Sequence, residues 1–195
     1  MPYITSPVDA VWRPLRVAVE LDDRTGAAYW ADLTVGADGA GPLDLGVDPP
    51  SVIRVRASDL REARRIRDRI RDEASEDGRD PDSLTVLVDI DVVVDHDARV
   101  ARRRAQSEWR HRGGVDSLSY VGTPKGLAGL LADIHAVRVA DGVTLVSSPV
   151  PFALEHLVDG TLPMLRARGL LDVSPAVGEL RRRFAHVGTT AALAS

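Results

Sequence analysis

Residues 119–171 contain the clearest succession of secondary-structure signals in the chain, SYVGTPKGLAGLLADIHAVRVADGVTLVSSPVPFALEHLVDGTLPMLRARGLL. Thr123 and Pro124 predict a helix start, because the Thr hydroxyl can cap a free amide and proline fits the first helical position. Apolar residues follow at helical spacing, VTLV at 143–146 predicts a strand, and Gly169 predicts the end of a second helix. The stretch therefore predicts one α/β crossover unit and a closing helix.

The rest of the chain repeats this alternation. Residues 15–21 (LRVAVEL), 51–58 (SVIRVRAS) and 85–95 (TVLVDIDVVVD) predict strands, whereas 25–33 (TGAAYWADL) predicts a short helix. Asp59 and Glu62 have the spacing of a capping box, and a helix is expected from there to Gly78. In 85–95 the even positions are apolar and the odd ones mixed, so one strand face should pack on helices and the other meet a wet or polar space.

Strands that alternate with helices predict an α/β fold of mainly parallel strands joined by right-handed crossovers. A closed eight-stranded barrel of this kind needs about 250 residues, and the chain has 195. We therefore expect an incomplete barrel in which 143–146 pairs with 15–21. Residues 1–14 should be an arm, 34–50 a Gly/Pro-rich linker, 51–171 the C-terminal half-barrel and 172–195 a tail, all within a single domain.

Composition excludes several classes of function. The chain has no cysteine, which rules out disulfides, thiolate metal sites and cysteine nucleophiles. No apolar run approaches the roughly 20 residues of a membrane span, and no signal peptide is evident, so we expect a cytoplasmic protein without a membrane partner. A net charge of -4 argues against nucleic acid. The arginine runs alternate with Asp and Glu at helical spacing, which favours solvated helix faces over a phosphate-binding patch.

Several segments resemble the luciferase-like flavin-dependent monooxygenases, in particular the nitrilotriacetate and alkanesulfonate monooxygenases. Residues 59–83 (DLREARRIRDRIRDEASEDGRDPDS) are similar to a family helix and turn, and 120–131 (YVGTPKGLAGLL) to its "VGTPEEVADRL" segment. Residues 140–145 (ADGVTL) and 162–171 (LPMLRARGLL) resemble "ADGFNL" and "VPELQRRGLF". These matches keep the family order over about 120 residues. The resemblance implies a (β/α) TIM-barrel-like fold in truncated form.

The middle of the family barrel has no counterpart here. Between Leu33 and Gly41 a family member would have several βα units, including loops that hold much of the flavin phosphate and the catalytic His or Arg groups. The family's "QAG(A/S)S"-type loop is replaced by PPSVIRVRAS at 49–58. The chain thus resembles a shortened barrel made of the first unit and the last two or three.

What the resemblance implies is an oxidoreductase, a monooxygenase that oxidises a small organic substrate with reduced FMN and O₂. It also implies a flavin reductase as partner. The missing units leave two alternatives open. The chain either keeps this enzymatic activity, or it is a non-catalytic flavin-binding or structural partial barrel that acts as a homodimer or with a paralogue. The missing units would leave strand edges with unpaired backbone groups, and a second copy or a paralogue could pair with them.

Candidate site residues follow from the rule that barrel enzymes work at the carboxyl ends of their strands. Ser58 follows one strand, and Ser147 and Ser148 follow another. Their hydroxyls and nearby amides are candidates for binding the flavin, with a helix cap (Ser58) and turn residues (Ser147, Ser148) as the alternatives. His96 follows the long strand and is the candidate general base, the alternative being a surface histidine at a helix start.

No metal is expected. The five histidines show no metal-ligand spacing. Asp89 and Asp91 share a strand face and are the only pair considered for a hard cation. The chain also lacks a dinucleotide-binding glycine fingerprint, a P-loop and a G-x-S-x-G motif.

Overall fold

The structure, a computed structural model, describes residues 13–22, 28–34, 51–111, 117–147, 154–175 and 177–185. The expected arm at 1–14 and linker at 34–50 fall almost wholly outside these ranges, as does Ser148. Within the described residues the strands are β1 (Arg16–Asp22), β2 (Ala28–Asp32), β3 (Val52–Val55), β4 (Thr85–Val94), β5 (Ser119–Gly122) and β6 (Gly142–Ser147).

The helices are α1 (Leu60–Glu76), α2 (Ala98–His111), α3 (Pro124–Ala136), α4 (154–167) and α5 (Val177–Ala185), with a short 3₁₀ turn at Pro81–Ser83. Asp59 caps α1 by accepting from the Glu62 amide at 2.8 Å, as the capping box predicts. Thr123 caps α3 with its hydroxyl, and Pro124 occupies the first turn. Gly169 ends α4 with φ +68°, a conformation that glycine adopts without a side-chain penalty.

One six-stranded sheet contains all of these strands: five follow the order β2–β1–β6–β4–β3, and the sixth, β5, also pairs with β4. β1, β6, β4, β3 and β5 are parallel, and β2 is antiparallel to β1. The predicted α/β class with mainly parallel strands in a partial, curled barrel is therefore confirmed. The predicted pairing of residues 143–146 with the first strand is also confirmed, because Val17 pairs with Val143 and Val19 with Leu145.

The helix expected at 25–33 is wrong, because residues 28–32 form strand β2. Trp30 and Asp32 lie on one face of β2, and Ala31 and Leu33 lie on the other, where they join the main core. This two-residue alternation is the pattern of a strand. The alanines favour a helix locally, and pairing with β1 outweighs that preference.

The sheet has two faces, which we call the outer and inner faces. The outer face carries Val86, Val88 and Ile90 of β4 and packs on α1, α3 and α4 in the main core. The inner face carries Leu87, which packs with Ala18, Trp30 and Val52. The apolar positions of β4 therefore meet helices as predicted. Its opposite face is polar in the middle but mostly buried, with Asp89 only 5% exposed.

Helix α2 lies on the inner face, opposite α1 and α3. Its Ala101, Ala105 and Trp109 pack against Val93 and Val121 of β4 and β5. β5 extends the same edge of β4 that β3 occupies, since the amides of Thr85 and Asp91 both point to that edge. The connection from β4 to β5 therefore runs in the opposite direction along the sheet to the connection from β3 to β4. Because such crossovers are right-handed, the helices of the two connections lie on opposite faces. Helix α2 thus covers the upper inner face, near the carboxyl ends of the strands.

The two ends of the described chain meet beside β2. Leu15 donates its amide to Leu170, Ser174 donates to Leu33, and Thr34 pairs with Val173. Helix α5 lies within the segment expected as a tail, and its Val177 and Leu180 are buried in the main core.

Candidate functional site

The carboxyl ends of three parallel strands lie together at one edge of the sheet, which we call the carboxyl edge. β4 ends there at Val94, β5 at Gly122 and β6 at Ser147. β3 ends lower in the sheet, because its last residue Val55 pairs with Val88 in the middle of β4. In open and closed α/β folds the ligand site lies at this edge, because the following loops and helix starts converge there. The predicted site residues His96 and Ser147 follow or end these strands, whereas Ser58 follows β3 and lies next to the start of β5, where Leu118 donates its amide to Ala57.

His96 lies directly beyond β4 and contacts a second histidine. Its ring meets that of His156 edge to face, with ring centroids 4.5 Å apart and planes at 87°. His156 is in the first turn of α4, the next described element after β6 in the chain. The structure thus brings together two imidazoles from separate strand–helix connections. We call His96 and His156 the histidine pair.

His156 is not a site residue that the sequence analysis identified. Its Nδ1 atom is shielded from solvent and has no hydrogen-bond partner among the residues that the structure describes. Burial lowers the pKa of His156, the charge of His96 lowers it further, and the carboxylates of Asp95 and Glu155 act in the opposite direction. A neutral imidazole is therefore favoured at this position.

A π-helical turn at Leu157–Thr161 directly follows His156 and fixes its place. Pro163 explains the turn, because proline has no amide to donate to Asp159 and its ring crowds that carbonyl. Gly160 allows close approach, since a Cβ there would lie 2.6 Å from the Pro124 Cβ. π-turns in α-helices occur frequently at functional sites. This one holds the first turn of α4 against the start of α3.

Two further contacts hold the same turn. Thr161 donates its hydroxyl to the Pro124 carbonyl at 3.3 Å. Asp159 pairs with both terminal nitrogens of Arg181 at 2.9 Å, which links the turn to α5. The segment that carries His156 is therefore fixed on two sides.

Acidic groups cap the start of α2 beside the histidine pair. Asp95 accepts from the Asp97 amide at 3.0 Å, and Asp97 accepts from the Arg99 amide at 2.7 Å. Arg104 pairs with Asp95 at 3.5 Å. The amides of this helix start are thus used by carboxylates, which disfavours a second negative charge at the same place.

Ser58 is exposed, and its hydrogen-bonding groups are used in the capping box of α1. Its amide and hydroxyl donate to Glu62 at 2.8 and 2.6 Å. These bonds lower the pKa of Glu62, with the Ser58 hydroxyl as the largest cause. This geometry is that of a helix cap, the alternative role considered for Ser58 above. Its role as a flavin ligand stays a prediction.

Ser147 is the last residue of β6 and is 9% exposed, at the register position opposite Leu21 of β1. Ser148 lies outside the described residues. Both remain predictions as flavin ligands. Of the three predicted residues that the structure describes, His96 has a side-chain contact with another residue at the carboxyl edge that is not a helix cap.

Asp89 and Asp91 share the inner face but not a site. Asp89 binds Arg54 through two bonds of 3.1 and 2.9 Å, and Arg54 also pairs with Glu20 at 2.5 Å. Asp91 accepts from the Ser117 hydroxyl. Among the residues that the structure describes, no group of three or more His, Cys, Asp or Glu side chains could hold a metal ion.

A shallow apolar groove lies between α2 and β5, lined by Arg102, Ala105, Gln106, Trp109 and Val121. It opens on the side of α2 opposite Arg104, because residues 102, 105 and 109 share one helix face. The groove is therefore separate from the histidine pair. In the part of the chain that the structure describes, no helix is both long and apolar enough to cross a membrane.

Comparison with known proteins gives a clear result only at the level of structure. No family model matches the sequence, and no curated protein matches it. Among solved structures, the long-chain alkane monooxygenase LadA matches with a TM-score of 0.53 and 21% identity over 64% of this chain. The chain has a partial luciferase-like fold. The resemblance seen in the sequence is thus confirmed for the fold.

Two other matches point the same way. The EDTA monooxygenase EmoA from Chelativorans sp. BNC1 has a TM-score of 0.52 and 19% identity over 62% of this chain. The riboflavin lyase RcaE, solved with modified FMN and riboflavin, has a TM-score of 0.55 and 16% identity over 72%. The matched region spans only 38% to 43% of these longer proteins.

Proposed function

We propose that the chain is a shortened luciferase-like domain and an oxidoreductase that binds reduced FMN at its carboxyl edge and oxidises a small organic substrate with O₂. The observation that supports this best is the partial fold shared with alkane and EDTA monooxygenases and with an FMN-bound riboflavin lyase. A flavin reductase as electron source, a cytoplasmic location and a homodimer that covers the sheet edges belong to the same proposal.

The residues at the carboxyl edge fit the polar edge of a flavin ring better than its phosphate. His156 is partly exposed and lies against His96, with only its Nδ1 atom buried. Asp95 and Asp97 occupy the start of α2. These carboxylates repel a phosphate. Ser147 and Ser148 are the remaining candidates to hold it.

In this proposal the cofactor supplies the electrons that activate oxygen, and the protein binds and shields it. His156 would orient the flavin by a hydrogen bond. The Leu157–Thr161 turn would keep His156 in place, since Gly160 and Asp159 fix that turn to α3 and α5. His96, which is exposed, would be the group that exchanges protons with solvent or substrate.

A binding titration tests the proposal. The purified protein is titrated with oxidised FMN and, without oxygen, with reduced FMN, and flavin absorbance and fluorescence are recorded. We expect saturable binding of one flavin per chain at micromolar concentration. Absence of any spectral change up to about 100 μM, roughly 5.5 kcal/mol on the binding scale, would contradict flavin binding and leave a structural partial barrel.

A mass measurement by gel filtration with light scattering tests the homodimer. We expect twice the mass of one chain. A monomer at all concentrations would show that the sheet edges are covered within the chain or by another protein.

A further inference from the structure

The two ring nitrogens of His156 are in different surroundings. Nδ1 is shielded from solvent and none of the described residues forms a hydrogen bond with it, while the side chain as a whole is partly exposed. A ligand or a water molecule can therefore reach this ring only through Nε2 or the neighbouring ring edge. A histidine with one sealed nitrogen can use only the other one for recognition.

The sealed nitrogen decides which form of the ring is stable. A proton on Nδ1 would leave a buried N–H without an acceptor, which folded proteins avoid more strictly than an unsatisfied acceptor. The doubly protonated ring would have the same buried N–H without an acceptor and would carry a charge as well. The form with a bare Nδ1 and a proton on Nε2 has the lowest cost. His156 then presents a single N–H donor outwards.

The charges around the ring select the kind of acceptor. His96 contacts it edge to face, and Asp95, Glu155 and Arg104 lie close enough to act on its titration. Arg104 is paired with Asp95. A negatively charged ligand would face the carboxylates of Asp95 and Glu155. A neutral ligand with a carbonyl oxygen avoids that repulsion and accepts the Nε2 proton.

The donor is also held rigidly. The π-turn begins one residue after His156, and it is fixed by the Gly160–Pro124 approach and by the Arg181–Asp159 pair. A rigid donor loses little conformational entropy when a ligand binds. A flexible surface histidine lacks this advantage.

We propose that His156 is a neutral imidazole whose Nε2–H is a fixed hydrogen-bond donor to a carbonyl oxygen of an uncharged heterocycle bound at the carboxyl edge. The pyrimidine ring of a flavin belongs to this class, and in that form the inference rests on the proposed function. His96 is the positioning residue, because its ring holds one side of His156.

Long-range ¹⁵N–¹H NMR spectra of the free protein test the assignment of the proton. Around pH 7.5 we expect His156 to show a bare Nδ1 and a protonated Nε2. A proton on Nδ1, or a doubly protonated ring at this pH, would overturn the proposal whether or not the protein binds a flavin.

Two variants of His156 test the donor. His156→Gln places an amide near Nε2, and His156→Asn places one near Nδ1. We expect FMN affinity to stay within about threefold in the first and to fall about tenfold in the second, the effect of one lost hydrogen bond. Equal losses in both variants, with unchanged melting temperatures, would contradict the donor role while FMN binding by the parent protein still stood.

A ligand without phosphate separates this inference from the proposed function. Lumichrome carries the carbonyl-bearing ring of a flavin without a phosphate chain. If lumichrome shifts the His156 Nε2 signal and FMN does not bind, the donor is supported and the FMN proposal fails. If neither compound shifts that signal, the donor proposal fails as well.

Replacing His96 tests its positioning role. In His96→Phe a ring without a titratable group keeps the edge contact, whereas His96→Ala removes it. We expect the bare Nδ1 form of His156 to persist in the first variant and to be mixed with the other tautomer in the second. Identical His156 spectra in both variants and the parent would contradict a role for His96.

Discussion

Two groups of polar side chains, both partly enclosed by the fold, differ in how far their bonding capacity is used. On the inner face, Glu20, Arg54 and Asp89 form a charge layer in which both Asp89 oxygens bind Arg54 and Arg54 also binds Glu20. At the carboxyl edge, Nδ1 of His156 is buried without a partner among the described residues, which in our proposal puts the ring proton on the outer nitrogen, Nε2. A group whose polar atoms are all paired within the chain stabilises the fold, whereas an outward donor such as Nε2–H can bind a ligand.

The position of the two groups explains this difference. The inner-face charge layer lies beside Trp30 and Leu87, where neighbouring strands bring side chains of fixed register together. The histidine pair comes from the β4–α2 loop and from α4, which meet only through tertiary packing. In a complete barrel the inner face encloses a closed core. Here ion pairs and helix α2 fill it, so we expect no ligand there.

The largest effect should come from breaking the inner-face charge layer. Asp89→Ala leaves Arg54 with Glu20 alone in a buried setting, and we expect the free energy of unfolding to fall by about 3–5 kcal/mol. Urea denaturation measures it. The control is Asp68→Ala, an exposed residue paired with Arg64 at 3.8 Å, where the loss should be below about 1 kcal/mol. Similar losses in both variants would contradict a structural role for the layer.

A smaller effect is expected from crowding the π-turn. Gly160→Ala places a methyl group 2.6 Å from the Pro124 Cβ, and we expect a loss of about 1–3 kcal/mol. The matched control is Gly129→Ala in α3, where an added Cβ meets nothing within 4 Å. That control should gain up to about 1 kcal/mol of helix stability. Unchanged stability of Gly160→Ala would show that the turn is not held by this contact.

The pH dependence of stability tests the neutral state of His156. Burial lowers its pKa, so below about pH 6.5 the unfolded chain binds a proton that the folded one resists. The free energy of unfolding should be highest above that pH. It should fall as the pH drops towards the pKa of the folded state, by at most about 1.4 kcal/mol per pH unit for one group.

His156→Gln should make this dependence shallower. The part that remains should come from His135, whose pKa burial also lowers. Urea midpoints between about pH 5 and 7.5 give the comparison. A steeper dependence in the variant than in the parent would mean that His156 is charged in the folded protein.

The smallest effect separates the two roles of Ser58. Ser58→Ala removes the hydroxyl bond to Glu62 at 2.6 Å, and because both groups are exposed we expect only a slight fall in melting temperature with unchanged FMN affinity. The cap alternative would then describe this residue fully. A drop in affinity without a change in stability would instead place Ser58 among the flavin ligands.

Much of the fold could be predicted, because its signals are local or periodic. The alternation in 85–95 gave the outer face of β4, and the capping patterns at Asp59 and Thr123 gave the starts of α1 and α3. The pairing of β6 with β1 followed from the lack of other early strands. Strand β2 was not predicted, since its alanines suggest a helix until β1 is placed beside it.

The site was harder to predict, since its members meet only in three dimensions. His96 follows a strand, and the strand-end rule could find it. His156 lies in a segment whose apolar residues have the ordinary spacing of a helix, which does not single it out. Its role depends on the contact with His96 and on the buried Nδ1 atom. One local signal was present: Pro163, seven residues on, within a helical pattern, predicts a disturbed turn.

Amide chemical-shift mapping tests the central claim most directly, namely that the carboxyl edge binds the ligand and the inner-face charge layer does not. ¹H–¹⁵N spectra are recorded while FMN is added to the parent protein. We predict shifts at the carboxyl edge, at Asp95, His96, Ser147 and the first turn of α4, with Glu20, Arg54 and Asp89 unchanged. Shifts concentrated on the inner face, or none under saturating FMN, would contradict the account.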